Sequence, residues 1–142
     1  MKKISFVCMF LVIISIIFST SSMAESAFNS NTYNKAGLFW TEISQFNNGL
    51  TISSNGKADI ESCLYSFSVD ELKVEVELQQ YKDGVWINIK EWLQTSTDIS
   101  CMVFESWYVQ KGFYYRLVST GTVYKEDIQV EQTVYIGQDK WY

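Results

Sequence analysis

Carboxylates are the one group here that could carry catalysis. Asp70, Glu71, Glu75 and Glu77 cluster, as do Glu126, Asp127 and Glu131. Glu75 and Glu77 share one side of an alternating stretch, about 7 Å apart by strand rise. A glycosidase needs two such groups across a cleft, but Lys90 is expected opposite this pair, as on a solvated sheet face. The chain has no histidine, which removes Ser-His-Asp and Cys-His activation and the common zinc sites. Arg116 is the sole arginine and no glycine-rich phosphate loop is present. The acidic spacing lacks the calcium-loop pattern, which leaves only a calcium site at a sandwich edge as an alternative. The expectation is a non-enzymatic protein with no cofactor and no bound metal.

The aromatic residues point instead to binding, and a hairpin positions them. Val74, Val76 and Leu78 alternate with Lys73, Glu75, Glu77 and Gln79, the period-two pattern of a half-buried strand. Asp83-Gly84 is a type I′ turn signal, because both central residues need φ > 0. Val85, Ile87 and Ile89 then alternate with Trp86, Asn88 and Lys90. A two-residue turn pairs Lys82 with Val85, Tyr81 with Trp86, Leu78 with Ile89 and Glu77 with Lys90. That register puts Tyr81, Trp86 and Trp92 on one polar face with Gln79, Asn88 and Lys90. Flat rings beside amides suit a protein partner or a sugar ring. The alternative is that the preceding segment, with Phe39 and Trp40, folds over them.

Further strands are expected at Leu50 to Ser53, Lys57 to Phe67, Ser100 to Gln110, Phe113 to Thr120 and Glu126 to Ile136. Leu38 to Phe46 reads as a short edge strand or a helical turn. Asn55-Gly56 and Lys111-Gly112 are turn signals, and the second predicts a hairpin with Trp107 opposite Arg116. Gly121 interrupts the pattern. About seven strands without a helical run predict an all-β fold, an antiparallel β-sandwich of immunoglobulin-like type. Both faces of the Ser100 to Gln110 strand carry large groups, so periodicity does not choose the inner one; a Cys63–Cys101 bond within the core would make it the face with Val103, Trp107 and Val109.

Lys2 and Lys3 precede an apolar run from Ile4 to Phe18, and Ser22-Met23-Ala24 follows. This is the plan of a secretory signal peptide cut before Glu25, the alternative being an uncleaved anchor. The expected organisation is therefore a signal peptide at 1–24, a flexible lead and docking segment at 25–48 and a β-sandwich at 49–142. Removing 24 residues, two of them lysines, leaves 118 residues with nine basic and sixteen acidic groups. Such a surface disfavours nucleic acid and anionic lipid. Cys8 leaves with the signal, and Cys63 and Cys101 in an exported domain predict a disulfide. It would close a loop of about 39 residues, worth roughly 4 kcal/mol. The alternative is two buried free thiols.

The stretch Val74, Val76, Leu78, Gln79, Tyr81, Gly84, Trp86, then Trp92, then Gly112, Tyr114 and Arg116, resembles a family of small exported bacterial proteins known as a domain of unknown function. The resemblance implies export and a β-rich domain, and it supplies no catalytic residues. Tyr114-x-Arg116 before a late strand is also similar to fibronectin type III and related sandwiches. Taken together, the expectation is a secreted or cell-surface interaction domain. Its partner is a protein or, as the alternative, a cell-wall glycan bound by Tyr81, Trp86 and Trp92, with no membrane span in the mature chain.

Overall fold

A computed structural model describes residues 40–142. The signal segment, its cleavage site and Phe39 lie outside the described residues. Within them there is no helix. The elements are β1 (Ile43–Ile52), β2 (Lys57–Ser66), β3 (Glu71–Lys82), β4 (Val85–Ser96), β5 (Ser100–Tyr108), β6 (Tyr114–Lys125), β7 (Ile128–Ile136) and the two-residue β8 (Lys140–Trp141). The anticipated edge strand near Phe46 and the strand at Leu50 are one element, β1.

Two antiparallel sheets face each other as a sandwich. Sheet A has the order β1-β2-β5, and sheet B the order β4-β3-β6-β7, with β8 also beside β6. The core lies between them. Leu72, Val74, Val76 and Leu78 of β3 and Tyr115, Leu117 and Val123 of β6 meet Ile43, Leu50, Ala58, Ile60, Leu64, Cys101 and Val103 of sheet A. Each fully buried leucine contributes on the order of 2 kcal/mol of transfer free energy.

The expected β5–β6 hairpin does not form. β5 pairs with β2 and β6 pairs with β3, so the chain crosses between sheets at Lys111-Gly112. Tyr115 holds this crossing. It is fully buried, and its hydroxyl donates to the Gln110 carbonyl (2.8 Å) and accepts from the Gln110 N–H (3.1 Å) and from Gln80 Nε2 (2.8 Å). Bonds to both main-chain groups of Gln110 fix the loop and satisfy a buried hydroxyl. Val103 is buried and Val109 half-buried on the inner side, whereas Trp107 stands at the open edge, partly exposed.

Gly121 does not end a strand, because β6 runs through it to Lys125. A Cβ there would lie 3.0 Å from Leu64 Cδ1 and 3.2 Å from Phe46 Cε2. Its missing side chain lets the facing sheet approach. β6 and β7 are joined by Glu126-Asp127, both at positive φ (50° and 60°). This is a primed two-residue turn built without glycine or asparagine, and so it is not signalled by composition.

The disulfide is absent: Cys63 and Cys101 are both buried free thiols. Cys63 stands opposite Met102 and Cys101 opposite Leu64. That one-residue offset sends the two side chains to opposite faces of sheet A. Cys101 joins the core and its thiol lies 3.4 Å from the Gln94 carbonyl, while Cys63 lies outside that cluster, 3.8 Å from Glu61 Oε1. Burial pushes both thiols up from their ordinary pKa, with Glu61 adding to the effect at Cys63.

Candidate functional site: an aromatic row on the outer face of sheet B

The hairpin turn forms as expected, with Asp83 at φ 52° and Gly84 at φ 85°. Lys82 pairs with Val85, Tyr81 with Trp86, and Gln79 with Asn88. There the predicted register ends. Leu78 stands opposite Lys90, Glu77 opposite Glu91, and Val76 opposite Trp92. Ile89 is the extra residue of a β-bulge, so Ile89 and Lys90 together face Leu78. The Lys90 N–H turns to Asn88 Oδ1 at 3.3 Å, a local bond that competes with the ladder.

The bulge moves everything beyond it to the other face. Trp92 leaves the row and packs, half-buried, against the core. Lys90 goes with it and lies 5.7 Å from the Trp92 ring centroid and 4.9 Å from that of Trp107. Of the three predicted site residues, the structure therefore brings Tyr81 and Trp86 together and separates Trp92. Glu77 is left facing Glu91 and, among the described residues, makes no ion pair. Gln79 Nε2 donates to Glu77 (2.7 Å) and Asn88 Nδ2 donates to Glu91, which tempers the like-charge pair. Glu75, the other carboxylate considered for catalysis, is ion-paired with Lys73 at 2.9 Å.

Two residues that sequence reasoning missed complete the site. Tyr81 pairs across β3–β6 with Tyr114, and Tyr114 pairs across β6–β8 with Trp141. Trp86, Tyr81, Tyr114 and Trp141 thus form one row over four neighbouring strands, spanning about 14 Å at the usual strand spacing. The Tyr81 and Trp86 rings are 5.1 Å apart and tilted by 53°. Those of Tyr114 and Trp141 are 4.8 Å apart at 62°. Such tilted pairs hold each other in place. Exposure is 41% for Tyr81, 46% for Tyr114 and 62% for Trp141, and none of the three belongs to the core.

A polar row flanks the aromatic one. Gln79 stands opposite both Asn88 and Arg116. Arg116 Nε donates to Gln79 Oε1 at 2.9 Å, and its guanidinium carbon lies 4.2 Å from the Trp86 ring centroid. The predicted Trp107–Arg116 contact is thus replaced by one to Trp86, since β5 lies in the other sheet. Burial lowers the guanidinium's pKa, and Asp139 and Glu77 act against that change. The stacked arginine fixes the Trp86 ring and offers donors at the edge of the row.

The row assembles three hairpin-distant segments, which is why sequence reading found only half of it. Its available signal was Tyr114 and Trp141 as large aromatics beside a turn and at the chain end. Comparison with protein-family models, with curated proteins and with solved structures found no match to this chain.

Proposed function

We propose that this chain is an exported, non-enzymatic interaction domain of immunoglobulin-like type that engages a protein partner through the row Trp86, Tyr81, Tyr114 and Trp141. The immunoglobulin-like reading is supported by strand pairing. β2 with β5, β3 with β6, β6 with β7, and β4 beside β3 correspond to the B–E, C–F, F–G and C′–C pairings of such sandwiches. The Tyr115 corner before Gly121 supports it too. Export rests on Lys2, Lys3, the apolar run and Ser22-Met23-Ala24.

One observation carries the functional reading: four large aromatics aligned across four strands, on the face turned away from the core. Aromatic residues with an arginine beside them are the anchors of protein interfaces. A ridge of tilted rings presents edges as well as faces, which suits interdigitation with side chains. The flanking Gln79, Asn88 and Arg116 favour a second reading, a glycan whose hydroxyls meet those groups.

The test is affinity capture from the medium and surface extract of the producing cells, with the wild type and with Tyr81→Ser/Tyr114→Ser, both shown to be folded. A protein partner retained by the wild type and lost by the variant is expected. An identical set of captured proteins on both would overturn the reading. Titration of a polysaccharide panel against tryptophan fluorescence separates the glycan: a response abolished in Trp86→Ala would replace the protein reading with it.

A further inference from the structure

We infer that the free edge of β5 is a strand-acceptor site, which binds an extended, acidic segment of a partner protein by β-augmentation. This surface is separate from the aromatic row and rests on main-chain geometry.

In an antiparallel ladder, successive residues turn their N–H and C=O alternately toward and away from the neighbour. Ser66 N donates to Ile99 O and Val109 N donates to Gly56 O, both at 2.9 Å. With the β2–β5 register, this parity directs Cys101, Val103, Glu105 and Trp107 toward β2. The main-chain groups of Ser100, Met102, Phe104, Ser106 and Tyr108 therefore point outward. Among the described residues, no strand pairs with them.

Folded proteins blunt such edges with bulges, prolines or lysines. The other three sheet edges here are blunted. β1 carries a register shift between Ile43 and Gln45, β4 the bulge at Ile89, and β7 a shift opposite Val123/Tyr124. The β2–β5 register has none over nine pairs. β5 contains no proline and no lysine, and Glu105 is its single charge. Its large side chains are exposed, Phe104 at 62% and Tyr108 at 67%. Among the described residues, this is the one long, straight edge with no bulge, proline or lysine.

What lies beside the edge sets the chemistry of the segment that fits it. Trp107 and Trp92 frame Lys90 at the open side between β5 and β4. Among the described residues, the Lys90 ammonium has no carboxylate partner. A strand laid along β5 sends alternate side chains to opposite faces, so it would bring carboxylates to Lys90 on the inner side and apolar side chains beside the exposed Met102 and Phe104 on the outer side. Main-chain bonds supply affinity in this mode and alternate side chains supply specificity.

The test uses the mature chain and two synthetic eight-residue peptides, alternating valine–glutamate and alternating valine–lysine, with amide hydrogen exchange read residue by residue. The valine–glutamate peptide is expected to slow the Met102, Phe104 and Ser106 amides at least tenfold. The valine–lysine peptide should bind at least fivefold more weakly. Ser106→Pro removes an outward donor and spares the bonds to β2, and it should abolish the slowing while exchange in β6 stays native. Tyr81→Ser/Tyr114→Ser should leave it unchanged, so failure of the aromatic-row reading is told apart. Any of four results would overturn the inference: these amides already protected in the chain alone, no slowing at millimolar peptide, undiminished slowing in Ser106→Pro, or slowing in β4 instead of β5. Equal binding of the two peptides would remove Lys90 from it.

Discussion

Tyr115→Phe removes one oxygen from the most connected buried side chain of the domain. Three bonds disappear: to Gln110 O, Gln110 N and Gln80 Nε2. They do not count equally. Gln110 is exposed, and water can replace its two bonds at small cost. Gln80 is only 9% exposed, so its amide keeps a buried donor without a partner, at about 1–3 kcal/mol. With a smaller contribution from the loosened crossing, the expected loss is about 2–3 kcal/mol. For a domain of this size that lowers Tm by roughly 8–15 °C. Chemical denaturation should show a lower midpoint with an unchanged m-value. The decisive assay adds Gln80→Leu, which removes the stranded amide. The double variant should recover at least 1 kcal/mol relative to the sum of the single changes, since replacing both partners by apolar groups is far cheaper than removing one. A loss below about 0.5 kcal/mol for Tyr115→Phe, or strictly additive variants, would refute this account of the crossing.

Two further outcomes follow from local geometry. Glu131 accepts from the Thr41, Glu42 and Ile43 N–H groups (2.9, 2.9 and 2.6 Å), tying the start of β1 to β7. Burial pushes its carboxyl up, but these donors outweigh that and hold it below the ordinary range. Because the folded value lies below the unfolded one, the stabilisation is present above about pH 4 and is lost as the pH falls through the folded value. Glu131→Gln should therefore cost about 1–2 kcal/mol at pH 7 and progressively less as the pH falls through the folded value; a penalty independent of pH in urea melts would contradict the carboxylate's role. At the β6–β7 turn, Glu126→Asn with Asp127→Gly should raise stability by about 1 kcal/mol, because both positions have positive φ. The Asp70 carboxylate still accepts from the main-chain N–H at 126 (2.6 Å) in that variant, so an unchanged or lower midpoint would argue against backbone strain there.

The alternation from Leu72 to Leu78 and the Asp83-Gly84 turn were enough to give the strand type, the turn type and the Tyr81–Trp86 pair, because each depends on residues close in sequence. So was the all-β class, since no stretch carries helical periodicity. The bulge was half-written. The inward series Val85, Ile87, Ile89 meets a charge at Glu91, a conflict that one extra residue resolves by turning Trp92 inward in its place. Nothing local said where that residue would go.

The remainder was decided by tertiary pairing. A glycine turn at Lys111-Gly112 closes a hairpin or crosses between sheets with the same residues, and the buried Tyr115 selects the crossing. That choice set β6 beside β3, which aligned Tyr114 and Trp141 with Tyr81 and left the edge of β5 open. It also set β5 against β2, one residue out of step for a bond between Cys63 and Cys101. Cys63 and Cys101 in the sequence state a composition; a disulfide needs both side chains on one face, and the parity of a strand register is fixed only when the strands meet. The sequence by itself determined the all-β class, the central hairpin turn and which residue types for catalysis the chain lacks. Only the tertiary structure decided which side chains share a face, because a single-residue shift in pairing reverses every assignment beyond it.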